Sequence, residues 1–483
     1  MTAGHSVEKI GGTSMAATKT VFDNVLIGGR KGADLYRRMF VVSAYAGITD
    51  LLLDHKKTGE PGVFAHFTAD AADEVDAPWP EALETVRDGM QKRNAEMFTK
   101  PESLKEANAF VDDRIDGMRV CLEDLERLRA HGQFLLTDAL STVREMLSGL
   151  GEAHSAHSTA LLLCDRGVNA VFVDLTGWGD SEKLTLDERI LQALKSIDVE
   201  NTLPIITGYA ASKEGTVRRY DRGYSEIIFS RLAVLSEARE AIIHKEFHLS
   251  SADPRLVGPE NARKIGRTNY DVADQLANLG MEAIHPGAGR GLRQADIALR
   301  VRNTFDREDG GTLIRGDYVS DEPRVEIITG MRSVSALQFF EQDMVGVKGF
   351  DVSILDILAR HKAWIVSKSS NANTITHYLA AKPLQMRKII TDLEDKFENA
   401  TITGQKVAMV SIIGSDISRP GLVAEALTAL HAADIEVMGL QYQIRNVDVQ
   451  LIIKPKDFDA CVRVLHDTLI SSENQKQQNS VAA

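Results

Sequence analysis

The stretch Met39–Ser43 (MFVVS), with Gly47 soon after it, sets the reading of the first part of the chain. A short apolar, β-branched run that ends in a turn residue is the pattern of a buried strand. The same pattern recurs downstream. Ala160–Arg166 reads as the end of a helix capped by Gly167, and Ala170–Asp174 (AVFVD) as the next strand. Leu203–Thr207 (LPIIT) is a further apolar strand followed at once by Gly208, and Glu240–Ile243 (EAII) is a weaker one. Between them, Glu81–Arg129 is rich in Glu, Lys, Arg, Leu and Ala and reads as long surface helices, a helical insertion. Strands separated by helices imply an α/β domain with a mostly parallel sheet and helices on both faces. In such a sheet the ligand lies at the carboxyl ends of the strands.

Near Asp321–Arg324 the character changes, and two similar units follow. One has a helix at Val352–His361 and a strand at Ala363–Val366; the other has a helix at Leu422–Ala432 and a strand at Ile435–Met438. Gly349 and Gly421 precede the two helices, and second helices follow at Leu384–Phe397 and Phe458–Leu469. A period of about 70 residues with order β-α-β-β-α-β is a ferredoxin-like repeat. The polar stretch Ser471–Ala483 reads as a disordered tail.

The chain has 483 residues, 43% hydrophobic and 26% charged, which is the composition of a globular protein of several domains. Its formal net charge of −13 argues against wrapping nucleic acid, while leaving room for a local anion site. The cysteines, Cys121, Cys164 and Cys461, are scattered, so neither a disulfide framework nor a zinc site is expected. No secretory signal and no run of about 18 apolar residues is present, so no membrane partner is expected and the reading is cytoplasmic.

Six segments carry chemistry. In Val7–Met15 (VEKIGGTSM), Lys9 stands beside two glycines and two hydroxyl residues. Glycines let backbone N–H groups approach a phosphate, and an ammonium stabilises a phosphoryl group in transfer; alone, the segment also reads as a plain turn. Val42–Asp50 (VSAYAGITD) suits a loop that hugs a ligand, or a strand-to-helix connection with Thr49 or Asp50 as N-cap. In Gly151–Ser155 (GEAHS), Glu152 suits either the start of a helix or a substrate ammonium. In Asp221–Glu226 (DRGYSE), Arg222 suits a carboxylate clamp or a surface salt bridge. Ala252–Arg255 (ADPR) and Ile284–Pro286 (IHP) are turn-forming triplets.

Taken in order, these pieces resemble the aspartate kinases: VxKxGGTS, VSAxxGxTD, GE, PxxTG, an RG-S loop, ADPR, a G–HP turn, then RNTF with GT. The resemblance covers essentially the whole chain. Within the family, the KIGGTSM start and the SAYAGITDLLLDHKKTGEPGVFAHF stretch resemble the branch that accompanies ectoine synthesis. The resemblance implies an amino-acid-kinase-type three-layer sandwich over residues 1–320. ACT-type units then follow at 321–400 and 401–470, with the tail at 471–483. It implies transfer of the γ-phosphoryl of ATP, with Mg2+ carried on the nucleotide, to the β-carboxylate of L-aspartate. A carboxylate is ionised at pH 7, so no general base is needed and the difficulty is charge repulsion.

Carried over by motif, Lys9 would stabilise the transferring charge, with Glu226 as its acidic companion in catalysis. Gly11, Gly12, Thr13 and Ser14 would line the phosphate path. Ser43, Thr49 and Ser225 would hold aspartate, Glu152 its ammonium and Arg222 a carboxylate, and Tyr209 would wall the pocket. His244, Lys245, Ser250 and Arg255 would face the nucleotide. No side chain is assigned to a metal. The chain departs from the family at DRGYSE, where GRGGSD is usual, so Tyr224 replaces a glycine and Glu226 an aspartate. It departs again at IHKEFHLSSADPR and GMEAIHP, where Lys245 and Glu282 exchange the expected acid and base and predict a swapped salt bridge. The ACT-type units imply an amino-acid effector, with Gly349, Asn371 and Asn373 as candidates, and a homodimer or higher homo-oligomer. The alternative is that they only dimerise. No homoserine dehydrogenase half is expected. The departures also motivate another function, a non-catalytic amino-acid-sensing protein derived from the kinase fold.

Overall fold

A computed structural model describes residues 4–56, 58–69, 78–131, 134, 136–220, 223–281 and 283–471. Asp221, Arg222, Glu282 and the segment 472–483 lie outside the described residues. The chain divides into two compact units, Met1–His248 with Ile284–Arg315, and Leu249–Ala283 with Gly316–Ala483. Among the described residues no helix is long and apolar enough to cross a membrane.

In the first unit the strands run side by side in the order Ala170–Val173, Leu203–Thr207, Arg38–Val42, Ser6–Ile10, Glu240–Lys245, Ala298–Asn303 and Thr312–Arg315. All neighbours are parallel except the last pair. Ser6–Ile10, Arg38–Val42 and Leu203–Thr207 are buried throughout, as parallel strands covered on both faces must be. The register sets Lys9 between Val41 and Ile243, and Glu8 between Phe40 and Ile242. Alternation therefore sends Lys9 and Glu8 to opposite faces.

The helical insertion forms as Trp79–Met97 and Pro101–Arg129, each with a proline in its first turn, where the missing N–H is harmless. It is less of a surface feature than its polar composition suggests. Leu83, Val86 and Met90 of the first helix share a core with Ala107, Val111, Ile115, Met118 and Leu122 of the second. That core also holds Phe40 and Ile205 of the sheet. Spacings of three and four residues give each helix one buried stripe among many charges. Thr137–Asp165 follows as a single helix ended by Gly167 at φ +79°.

The second unit contains a six-stranded antiparallel sheet in the order Trp364–Ser370, Thr374–Ala380, Ile327–Phe340, Thr401–Ile413, Asp448–Ile453 and Val437–Tyr442. Ile327–Phe340 and Thr401–Ile413 pair along their length, with a shift between Val407 and Met409. Thr374–Ala380 joins the half of Ile327–Phe340 that pairs with Thr401–Lys406, and Asp448–Ile453 joins the Ala408–Ile413 half of the other long strand. The two β-α-β-β-α-β repeats thus share their long strands, and the first is nested within the second. Both first helices, Phe350–Arg360 and Leu422–Ala432, start from a left-handed glycine, Gly349 at φ +104° and Gly421 at φ +82°.

Candidate active site

Lys9 is 7% exposed and lies at the carboxyl end of its strand. Its Nζ is 3.7 Å from Glu226 Oε1, and Lys245 Nζ donates to the same oxygen at 3.2 Å. The His285 N–H donates to the other oxygen, Glu226 Oε2. Burial alone would raise the Glu226 carboxyl, but Lys9 and Lys245 hold it below its ordinary value. Burial also lowers Lys9, and Glu226 opposes that fall. One carboxylate therefore holds two ammonium groups together, at a place where an incoming anion could take them over.

Gly11 starts the short helix Gly12–Ala16. A Cβ on Gly12 would stand 2.7 Å from Ala44 O, and one on Gly208 would stand 2.6 Å from Val42 O. Only glycine lets these loops pass so close to the strand ends. Ser14 Oγ donates to Glu246 Oε1 at 2.8 Å and accepts from Thr304 Oγ1 at 3.1 Å, while Thr13 is exposed. Glu246 and Thr304 were given no role of their own in the sequence reading, although they lie in its IHKEFHLSSADPR and RNTF motifs. Their signal was only their position after neighbouring parallel strands.

The substrate half closes around Glu152. This residue lies in the middle of Thr137–Asp165, not at a helix start, so the macrodipole reading fails. It is 3% exposed, its Oε1 accepts from Tyr224 Oη at 2.9 Å, and its Oε2 is buried with no hydrogen-bond partner. Burial pushes its carboxyl up to about 7, against the Tyr224 hydrogen bond, the backbone N–H groups of Glu152 and Ala44, and the Lys9 charge. Ser43 Oγ donates to Ser225 Oγ at 3.2 Å, and Ser155 Oγ donates to Ser43 O at 2.9 Å. Thr49 is half-buried inside Ile48–Leu52; Gly47 stands at its N-cap, so neither Thr49 nor Asp50 caps it. Tyr209 packs edge-on to Tyr224, with centroids 5.6 Å apart, and its hydroxyl donates to Glu145 at 2.8 Å. Burial comes first in raising that phenol well above its ordinary value, and Glu145 adds to it. The sequence marked Tyr224 as a departure but gave no hint that it would reach Glu152.

Within the first unit, one named residue points away from Lys9. His244 lies on the face opposite Lys9, with Nε2 2.8 Å from Glu8 Oε2. Ser250 and Arg255 belong to the second unit, where Ser250 Oγ donates to Ala252 O at 2.8 Å and exposed Arg255 pairs with Asp253 at 3.0 Å. Lys245 pairs with Glu226, and the expected partner Glu282 lies outside the described residues, as does Arg222. In the repeats, Asn371 Oδ1 accepts from the N–H groups of Asn373 and Thr374 at 3.2 and 3.0 Å, tying a turn next to Glu341, whose N–H donates to Asn373 O. His248, Asp306 and Asp309 also meet, with His248 3.2 Å from Asp306 and 3.5 Å from Asp309, a grouping the sequence reading did not contain.

A model of the amino acid kinase family matches residues 6–303. Aspartate kinase Ask_Ect of Stutzerimonas stutzeri (strain A1501) is 48% identical over 470 residues, which is 97% of this chain and 98% of that protein. The chain belongs to the aspartate kinases. An aspartokinase of Geobacillus stearothermophilus is 26% identical over 67% of this chain and 81% of its own length. Among solved structures, E. coli aspartokinase III in complex with lysine and aspartate is similar at a TM-score of 0.72 and 20% identity, covering 96% of this chain and 99% of that one. Clostridium acetobutylicum aspartate kinase is similar at a TM-score of 0.70 and 18% identity, covering 96% and 100%. The architecture is accordingly the expected α/β kinase sandwich with ACT-type α+β repeats.

Proposed function

We propose that this aspartate kinase transfers the γ-phosphoryl group of ATP, carried with Mg2+ as substrate, to the β-carboxylate of L-aspartate, giving 4-phospho-L-aspartate and ADP. The observation that carries the reading is Glu152, a buried carboxylate with one unpartnered oxygen, close enough to buried Lys9 for their charges to interact. A buried carboxylate with a free oxygen suits an ammonium, and a buried lysine suits a developing phosphoryl charge. Glu152 then binds the aspartate ammonium, and Ser43, Thr49, Ser225 and Arg222 orient the rest of the amino acid. Lys9 bridges acceptor and donor. Lys245 shares Glu226 with Lys9 and meets the nucleotide phosphates. Catalysis consists of positioning and charge compensation, because the acceptor needs no deprotonation.

The name of the Stutzerimonas relative and the KIGGTSM start support a supply role in ectoine synthesis. The kinase division is 1–320, followed over 321–470 by two ACT-type units, the first nested within the second, that join copies of the chain and sense an amino acid near Gly349, Asn371 and Asn373. The aspartokinase III structure was solved with lysine, which makes lysine the first effector to try. The enzyme is placed in the cytoplasm, with its metabolites. The test is ADP release with MgATP and L-aspartate, with product trapped as the hydroxamate, then with lysine, threonine or ectoine added singly. Aspartate-dependent turnover that disappears in Lys9→Ala is the expected result. A folded protein without turnover would instead favour the non-catalytic sensor, which the departures at Tyr224 and Lys245 motivate.

A further inference from the structure

The face of the central sheet opposite Lys9 carries a groove of about 630 Å³. Six arginines line it: Arg30, Arg37, Arg38, Arg239, Arg300 and Arg302. Four carboxylates, Glu8, Asp34, Glu200 and Glu240, line it too, so arginines outnumber acids locally in a chain that is acidic as a whole. The strand register explains it. Arg38 sits opposite Ser6, Arg300 opposite Ile242 and Arg302 opposite His244, all at positions that share the Glu8 face.

Three of the six have carboxylate partners. Arg38 Nε donates to Glu8 at 2.8 Å, and its other nitrogens donate to Leu26 O and Val25 O. Arg300 pairs with Glu240 at 2.8 Å and Arg37 with Glu200 at 2.7 Å. Among the described residues the other three have none. Arg302 donates only to the carbonyls of Arg307 and Asp309. Arg239 is exposed and Arg30 half-buried, and among the described residues neither guanidinium has an ion-pair partner. Partial burial and then Arg38 lower Arg30 from its ordinary value; Arg302 and Arg307 add to this, and Glu8 opposes it. A half-buried guanidinium among like charges is unfavourable unless an anion joins it.

We propose that this groove is an anion site, distinct from the catalytic centre, that takes a phosphate or pyrophosphate group. Arg30 and Arg302 hold the group from within the groove, and Arg239 holds it at the rim. Guanidinium forks match phosphate oxygens in pairs, and the volume lies in the range of small-molecule sites, about 300–1,000 Å³. Carboxylate ligands are disfavoured relative to phosphate because Glu8, Glu240 and Glu200 already supply that chemistry to the other three arginines.

Calorimetric titration of the full chain, without nucleotide or metal, tests this with inorganic phosphate, pyrophosphate and ribose 5-phosphate as probes. The first two probes stand for a free-ion source and the third for a phosphorylated metabolite. At least one is expected to show a binding event that persists in Lys9→Ala and weakens tenfold or more when Arg30→Gln/Arg302→Gln is added to that variant. Arg239→Gln, an exposed change that does not threaten folding, is expected to weaken binding a few-fold. No binding by any probe, equal binding in the wild type and the arginine variants, or loss confined to Lys9→Ala would overturn the proposal.

Discussion

The two faces of the Ser6–Ile10 strand handle positive charge in opposite ways. On one face Lys9 and Lys245 both meet Glu226, whose second oxygen is held by the His285 N–H, and Glu246 also acts on Lys9. On the other, Glu8 is enclosed by Arg38, His244 and Ser6, at 2.8, 2.8 and 3.1 Å. The first arrangement gathers two cations at the carboxyl end of the strands, where an arriving anion can meet them. The second is over-satisfied around Glu8, and burial alone would raise that carboxyl, yet Arg38 and His244 hold it far below its ordinary value. Burial lowers His244 despite its bond to Glu8. One lysine can therefore be removed without collapse, whereas one arginine cannot.

The largest contrast follows from that difference. Lys9→Ala leaves Glu226 paired with Lys245, so folding persists while turnover falls by about 10³-fold or more. Arg38→Ala strands Glu8 in the core with only His244 and Ser6, which destabilises the fold by about 3–5 kcal/mol. Thermal unfolding and steady-state rates on both variants check the pair. If Lys9→Ala unfolds, or Arg38→Ala stays as stable as the wild type, the distinction between the faces is lost.

Glu152→Gln sharpens the same point on the substrate side. Burial pushes the Glu152 carboxyl up to about 7 from an ordinary 4.5. A raised folded value means that the favourable contribution is complete below 4.5 and is lost as pH rises through 7. The ligand-free variant is therefore expected to match the wild type near pH 4 and to melt higher at pH 8, by an amount of order 3 kcal/mol. Its KM for aspartate rises by roughly 10²-fold, because a neutral amide replaces the partner of the ammonium. A variant that gains stability at pH 8 without losing aspartate affinity would separate the buried charge from substrate binding.

Lys245→Ala has a smaller reach. It removes one of two cations on Glu226, and is expected to raise the KM for ATP about tenfold while leaving that for aspartate nearly unchanged. The reverse pattern would move Lys245 to the aspartate half.

The fold was legible because its signals are local. Apolar runs ending in glycine marked the parallel strands, and Gly349 and Gly421, both left-handed, marked the repeat. What was not legible depended on register or on distant pairs. A one-residue shift of face separates His244 from Lys245, and only strand pairing with Ser6–Ile10 shows that His244 faces Glu8. The nesting of the repeats follows from which half of Thr401–Ile413 pairs with which half of Ile327–Phe340, and no periodicity encodes that. Nor could composition show that Glu152 sits mid-helix, since Thr137–Asp165 runs through Gly149 and Gly151 without a break.

The smallest effect bears on the most specific departure in the chain. Tyr224 stands where the family pattern has glycine, and its hydroxyl donates to Glu152 Oε1 at 2.9 Å. That bond favours the ionised carboxylate and restrains the value that burial has raised. Tyr224→Phe keeps the ring against Tyr209 and removes only the donor. Glu152 should then hold its proton to higher pH, so the pH at which aspartate binding improves shifts upward. Near pH 7 the KM for aspartate rises a few-fold. At higher pH, once the carboxylate is ionised in both proteins, most of the difference vanishes. A KM raised equally at every pH would mean that the hydroxyl touches aspartate itself, and an unchanged profile would leave Tyr224 as packing against Tyr209 alone.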